Sequence, residues 1–122
     1  MVEKYYNENG ELGVLISPGF GAGWSSWNCD EIAFDKRVVE YWLNESPSSN
    51  EMHEFLESLG YKNVYMGGYG SLTIRYIPRG TMFCIHEYDG SESVETPEKL
   101  KEDTNAEIRE LYITEVLRKI KR

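Results

Sequence analysis

The sequence feature that most constrains the fold is the run over residues 72–95, the only stretch long and regular enough to build a sheet. Strand-like runs over residues 72–77 and 81–88 flank the tripeptide Pro78-Arg79-Gly80. Proline fixes φ near the value that a turn needs and glycine accepts positive φ, so this tripeptide predicts a hairpin. Because side chains alternate along a strand, one face of the first run is apolar and the other is mixed.

The same run carries a second tight-turn signal. Asp89-Gly90 favours a two-residue hairpin loop, after which residues 91–95 can return as a third short strand. The three runs together predict an antiparallel sheet, or meander, centred on residues 72–95. The other segments have to be arranged around this sheet.

The flanking segments predict two more strands and several helices. Apolar runs over residues 12–16 and 63–66 predict short strands, and either could pair at either edge of the sheet. Helical spacing of apolar residues and capping signals predict four helices, which begin near residues 30, 48, 96 and 104. At 122 residues the chain is long enough for one domain. We expect an α+β fold with three or four helices packed on the sheet, and a small β-barrel with appended helices is the alternative.

The amino-acid composition indicates which classes of ligand the chain can bind. A formal charge of −8 argues against binding to a nucleic-acid polymer or an anionic membrane, because phosphate contacts need clustered Lys or Arg. A small anionic ligand remains compatible, because a few arginines and backbone N–H groups can hold it locally. Nine Tyr and three Trp exceed what a core of this size needs, so some are expected at an interface or a ligand pocket.

The loop over residues 17–28 is the most informative one in the chain. Its sequence, SPGFGAGWSSWN, contains three glycines, one proline and three aromatic residues. One interpretation is that Phe20, Trp24 and Trp27 fold back into the core. The other is that the loop forms a pocket wall, where glycines allow a ligand to approach the backbone and aromatic faces stack on a base. The sequence leaves both interpretations open, residue by residue.

Catalytic and metal-binding patterns are weak. We expect Cys29 and Cys84 to be reduced and buried, and their spacing is not that of a metal site. His86 and Cys84 are two residues apart on a predicted strand, where parallel side chains are about 7 Å apart and too far for a catalytic dyad. Carboxylates at residues 87, 89 and 92 are interpreted as turn and solvated polar-face residues rather than an acid/base pair. We therefore expect no enzymatic activity, no metal and no cofactor.

Several sequence blocks together resemble a family of small phage and prophage proteins. They are GVLISPGFGAGWSSWN, the helical FDKRVVEYW, the dipeptide Leu59-Gly60 followed by Tyr61, and LTIRYIPRGTMFCIHEYDGSES. Over nearly its whole length the chain is similar to the Thoeris anti-defence sponge family, first type. The resemblance implies a protein that binds and sequesters a cyclic ADP-ribose isomer made by a TIR-domain defence enzyme. Some relatives also take up cyclic oligonucleotides at a separate site.

The resemblance and the loop composition together give a set of candidate ligand-binding residues. Phe83 matches the aromatic residue that the family carries on the second hairpin strand, and arginines are candidates by residue type. Phe83 and an arginine would supply the stacking face and the phosphate contact that a cyclic ADP-ribose requires. The predicted ligand-binding residues are Phe20, Trp24, Trp27, Asn28, Arg75, Arg79, Phe83 and Arg109.

Partners and location follow from the same features. A domain this small encloses a ligand most easily at a subunit interface, so we expect at least a homodimer. The resemblance implies a higher homo-oligomer built from dimers. Without an export signal or an apolar run long enough to span a membrane, the chain is expected to be soluble in the bacterial host cytoplasm. The alternative function is that of an acidic phage accessory protein that inhibits a host protein by binding it directly.

Overall fold

The structure is a computed structural model that describes residues 2–97. Two α-helices and four β-strands lie in this range, which confirms the predicted α+β class. The elements are β1 (Leu12–Ile16), α1 (Lys36–Glu45), α2 (Ser49–Ser58), β2 (Thr73–Ile77), β3 (Cys84–Tyr88) and β4 (Ser91–Glu95). The helix predicted from residue 104, and nearly all of the one from residue 96, lie outside the described residues. Neither described helix has the length and apolar character that a membrane span requires.

The strands form two separate antiparallel pairs instead of one meander. β1 pairs with β2, with Leu12 opposite Ile77, and β3 pairs with β4. The predicted hairpin between residues 72–77 and 81–88 is therefore wrong. Its turn does form, since the Thr81 N–H donates to the Pro78 carbonyl at 3.1 Å and Gly80 has a φ of 84°. The chain then continues away from β2, whose partner is β1, and regains strand geometry only at β3.

The second predicted hairpin is confirmed. Asp89 and Gly90 connect β3 to β4 with φ angles of 51° and 87°, which are the left-handed values of a two-residue type I′ loop. The strand predicted over residues 63–66 is wrong, because this segment is irregular and Asn63 has a φ of 56°. Its apolar character instead places Val64 in the core.

β1 is the centre of the fold, because all five of its residues are buried. Alternation along the strand sends its side chains into two different apolar clusters. Leu15 packs in a cluster with Trp24, Ile32, Val38, Val39, Met52, Leu56 and Val64. On the other face of β1, the second cluster consists of Leu12, Val14, Ile16, Ala33, Ile77 and Ile85. Gly13 lies beneath the Tyr5 ring, where a Cβ atom would be 2.8 Å from Tyr5 Cδ2.

Helix α1 begins later than the predicted start near residue 30 because Asp35 caps it. Residues 30–33 form a separate 3-10 turn, and the fully buried Asp35 carboxylate accepts the Arg37 N–H at 3.0 Å. The Arg37 guanidinium donates two further hydrogen bonds, at 3.0 and 2.7 Å, and the Tyr61 hydroxyl donates one at 2.8 Å. Burial alone would raise the pKa of Asp35, but these hydrogen bonds and the Arg37 charge outweigh it and hold the pKa below its ordinary value.

The Asp35 carboxylate is expected to make stability depend on pH. Its pKa is lower in the folded chain than its ordinary 3.8, so its contribution is complete above that value and is lost as the pH falls through the folded pKa. Asp35→Asn keeps a cap acceptor but removes the charge, so we expect it to cost about 1–2 kcal/mol at neutral pH. Urea titrations of both chains should show this difference shrinking as the pH is lowered through the range where Asp35 titrates. A difference that stays constant over that range would contradict the assignment.

Candidate functional site

A buried carboxylate joins the glycine-rich loop over residues 17–28 to strand β4. Glu92 is 2% exposed, and its Oε1 accepts a hydrogen bond from the Ser17 N–H at 2.8 Å. Its Oε2 accepts from the Trp24 N–H at 2.8 Å, from the Ser26 N–H at 2.9 Å and from the Ser26 hydroxyl. The Glu92 N–H donates in turn to the Ser17 carbonyl at 2.8 Å. A buried polar group with all these partners holds the loop in one conformation.

Backbone contacts to the β3–β4 turn hold the same loop. The Gly21 N–H donates to the Asp89 carbonyl at 2.9 Å. Gly90 lies so close to the loop that a Cβ atom there would be 2.4 Å from the backbone nitrogen of Ala22. The absence of a side chain at Gly90 therefore lets the turn and the loop pack backbone to backbone.

The interpretation of Glu92 as a solvated polar-face residue is wrong. On β4, Glu92 and Val94 share a face, and the register places Val94 opposite Ile85, which is buried in the second apolar cluster. The alternation of β4 could have given this result, because a residue two positions from an inward-facing valine also points inward. A glutamate is rarely fully buried unless it is paired, and here the donors come from a loop distant in sequence, which no local pattern reveals.

Beside this loop lies a cavity of about 640 Å³. It lies between the N-terminal segment, the 3-10 turn over residues 30–33 and the connection from β2 to β3. The lining residues are Lys4, Tyr6, Leu12, Ser26, Asp30, Glu31, Phe34, Gly80, Thr81, Met82, Phe83, Cys84 and Ile85. Ser26 belongs to both features, since it lines the cavity and donates to Glu92. The Glu92 hydrogen bonds therefore help to fix one wall of the cavity.

Aromatic rings and two cations give the cavity its chemical character. Phe34 and Phe83 pack edge to face with ring centroids 6.0 Å apart. The Lys4 ammonium lies 5.7 Å from the centre of the Phe34 ring. The Arg79 guanidinium lies 4.3 Å from the centre of the Tyr6 ring, next to the lining residue Gly80. These cation–π contacts hold Lys4 in the cavity lining and Arg79 against the lining residue Tyr6, where both can meet an anionic ligand.

Two of the predicted ligand-binding residues meet at this cavity. Phe83 lines it, and Arg79 borders it through its contact with Tyr6. Tyr6, Phe34 and Lys4 were not predicted. Only the pairing of the N-terminal segment with β1 and with residues 34–36 brings them here, and a polar N-terminal segment gives no sign of that pairing.

Three predicted residues have structural contacts in the loop. Trp24 is fully buried and packs against Tyr69, which corresponds to the core interpretation of that side chain. Trp27 is 43% exposed and stacks on Tyr65 with ring centroids 5.5 Å apart. The Asn28 side chain holds the backbone of Tyr65 by donating to its carbonyl at 3.0 Å and accepting from its N–H at 2.8 Å. Trp27 and Asn28 thus both contact Tyr65, and neither lines the cavity.

The remaining predicted residues lie elsewhere. Phe20 is 75% exposed at the outer part of the loop. Arg75 is exposed on β2, where its guanidinium donates to the Thr73 hydroxyl at 3.3 Å. Arg109 lies outside the described residues. Neither Phe20 nor Arg75 lines the cavity that contains Phe83.

The two cysteines are thiols that lie in different environments. Cys84 is buried at the cavity, as predicted, whereas Cys29 is exposed, so the prediction that it is buried is wrong. Cys29 directly precedes the 3-10 turn, whose buried residues are Ile32 and Ala33. Within residues 2–97 no group of three or more His, Cys, Asp or Glu side chains is arranged to hold a metal ion.

Comparison of the chain with protein-family models, with curated proteins and with solved structures gives no match.

Proposed function

We propose that this protein binds and sequesters a small cyclic nucleotide, such as a cyclic ADP-ribose isomer, without degrading it. The observation that carries the proposal is the cavity of about 640 Å³ that Phe83, Phe34 and Lys4 line, with Arg79 held against the lining residue Tyr6. A nucleotide needs an aromatic face for its base and cations for its phosphates. The cavity offers both.

The size and rigidity of the site also support this proposal. Small-molecule sites usually have volumes of about 300–1,000 Å³ and combine apolar walls with a few placed polar groups. The hydrogen bonds of Glu92 hold the wall that contains Ser26, which reduces the entropy lost when a ligand is bound. In the proposed role the protein acts in the bacterial cytoplasm as an anti-defence factor. It works as at least a homodimer, whose second copy helps to enclose the ligand.

A capture experiment tests the function. The protein is incubated with a cyclic ADP-ribose isomer or a cyclic dinucleotide, freed of unbound ligand by filtration, denatured by heat and analysed for released compounds. A sequestering protein returns the ligand intact, and an enzyme returns a product. If nothing is released with any ligand of this class, the proposal fails.

Phe83→Ala and Arg79→Ala are expected to weaken capture by different routes. Loss of the Phe83 ring removes a stacking face worth about 1–3 kcal/mol. Loss of the Arg79 guanidinium removes a charge-assisted phosphate contact worth about 1.5–3 kcal/mol. Calorimetric titration should therefore show dissociation constants raised by about fivefold or more for Phe83→Ala and by about tenfold or more for Arg79→Ala.

Matched controls are Tyr88→Ala, which removes an exposed ring, and Lys62→Ala, which removes an exposed cation; both residues lie outside the cavity lining. Their dissociation constants should equal that of the unmodified chain. If Phe83→Ala and Arg79→Ala stay folded and bind as tightly as the controls, the ligand lies elsewhere.

A second candidate function, direct inhibition of a host protein, is favoured by a different observation. Phe20 and Tyr88 are 75% and 71% exposed, and their chain neighbours Gly21 and Asp89 are hydrogen-bonded to each other. Two exposed aromatic residues held at one junction are typical of protein interfaces. If this function is the correct one, the capture experiment returns no ligand, and Phe20→Ala weakens inhibition of the host protein.

A further inference from the structure

Two carboxylates line the same cavity as Lys4. Asp30 and Glu31 lie on the 3-10 turn over residues 30–33, which Ile32 and Ala33 anchor in the core. The Glu31 carbonyl accepts the Phe34 N–H at 3.2 Å, so the backbone of the turn is also held. Within residues 2–97 neither carboxylate group forms a hydrogen bond or an ion pair, and both are therefore available to a ligand.

These carboxylates restrict how a nucleotide can lie in the cavity. Like charges repel, so the phosphates are kept away from Asp30 and Glu31 and are directed to Lys4 and Arg79. The part of the ligand that meets the carboxylates must be uncharged and must donate hydrogen bonds, because an ionised carboxylate only accepts them. The hydroxyl groups of a ribose meet both requirements, and carboxylates bind ribose hydroxyls in the same manner in dinucleotide-binding folds.

On the basis of the proposed function, we propose that Asp30 and Glu31 select ribonucleotides by accepting hydrogen bonds from free ribose hydroxyl groups. Replacing one such hydroxyl with hydrogen leaves a carboxylate without its donor, and hydrogen bonds to charged groups contribute about 1.5–3 kcal/mol, or about tenfold to a hundredfold in affinity. The cavity then contacts three parts of one ligand. The base meets the phenyl rings, the phosphates meet the cations and the sugar meets the carboxylates.

The test compares two ligands on three chains by calorimetric titration. The ligands are the cyclic ADP-ribose isomer of the capture experiment and an analogue with hydrogen in place of one free ribose hydroxyl. The chains are the unmodified protein, the double variant Asp30→Asn with Glu31→Gln, and Glu54→Gln. Glu54 is an exposed acid on α2 and serves as the control. Thermal unfolding of each chain shows that it is folded.

The unmodified protein and Glu54→Gln should bind the hydroxylated ligand about tenfold or more tightly than the analogue. In the double variant this ratio should fall at least threefold, because a neutral amide oxygen is a weaker acceptor than a carboxylate. A purely structural role would weaken both ligands equally and leave the ratio unchanged, which would overturn the inference. Equal binding of both ligands by the unmodified protein would also overturn it while leaving the proposed function intact. Binding of neither ligand would overturn both.

Discussion

Replacing Glu92 with alanine is expected to lower the free energy of unfolding by about 3–5 kcal/mol. The carboxylate accepts hydrogen bonds from the backbone N–H groups of Ser17, Trp24 and Ser26 and from the Ser26 hydroxyl. Its removal leaves these donors without their acceptor in a region where Glu92 itself is only 2% exposed. Each unsatisfied buried donor costs about 1–3 kcal/mol, which water entering the vacated space partly offsets.

Glu87 provides the matched control for this measurement. It lies directly opposite Glu92 in the β3–β4 pair and accepts one hydrogen bond, from the Gly90 N–H at 2.7 Å. Glu87→Ala is therefore expected to cost about 1 kcal/mol. Urea denaturation followed by tryptophan fluorescence compares the two variants. If both variants lose a similar free energy of unfolding, the conformation of the loop does not depend on the Glu92 carboxylate.

Replacing Gly90 with alanine is expected to cost about 3 kcal/mol or more, for two reasons. The φ of 87° is unfavourable for a residue with a Cβ atom by about 1–2 kcal/mol. The added Cβ would also lie 2.4 Å from the Ala22 nitrogen and 2.8 Å from the Gly21 carbonyl carbon, so the loop and the turn must separate. Overpacking of this kind adds about 1–3 kcal/mol, because backbone atoms cannot move aside as a flexible side chain can.

A substitution at Gly80 separates the conformational penalty of the positive φ from the steric penalty of the added Cβ atom. Its φ of 84° nearly equals that of Gly90, yet a Cβ atom at Gly80 would meet nothing within 4 Å. Gly80→Ala should therefore show the conformational penalty alone, about 1–2 kcal/mol. Thermal and urea unfolding of the two variants without ligand gives the difference. If the two substitutions lower the free energy of unfolding equally, the close packing of Gly90 against the loop does not contribute to stability.

Structural elements could be predicted from the sequence where the interactions that form them join residues close together in the chain. The Asp89-Gly90 turn, strand β1 and the start of α2 near residue 48 all form as predicted, because each depends on residues a few positions apart. The start of α1 was predicted too early. Apolar spacing alone could not show that the residues before Lys36 form a 3-10 turn, or that Asp35 caps the helix through Arg37 and Tyr61.

Long-range pairing was not predictable in the same way. Pro78-Arg79-Gly80 does form a turn, but a turn does not determine whether the strands around it pair with each other. β1 takes β2 as its partner, and the two are separated by both helices. The interpretation of residues 12–16 as an edge strand of uncertain position overlooked one signal. An uninterrupted apolar run is typical of a strand buried on both faces.

The candidate site also combines residues that the sequence could predict with residues that only the tertiary structure identifies. Phe83 and Arg79 were predicted from a resemblance and from residue type; Phe83 lines the cavity, and Arg79 contacts the lining residue Tyr6. The rings and the cation that complete it come from the N-terminal segment and the end of a 3-10 turn, so tertiary structure alone brings them together. The role of Glu92 depends on hydrogen-bond donors about seventy residues away. A hydrogen bond between residues so far apart produces no periodic pattern in the sequence.

The burial of β1 on both faces changes what fixes its register. In an ordinary half-buried strand, a slip by one residue would turn the apolar side chains toward water, and the hydrophobic effect itself would oppose the slip. In Leu-Gly-Val-Leu-Ile a slip would only exchange the contents of the two apolar clusters. Gly13 is the residue that distinguishes the alternatives, because any other residue beneath the Tyr5 ring would place a Cβ atom 2.8 Å from Tyr5 Cδ2 and 3.0 Å from Ile74 Cδ1. The alignment of the central strand is thus specified by shape rather than by polarity, at the one position that has no side chain.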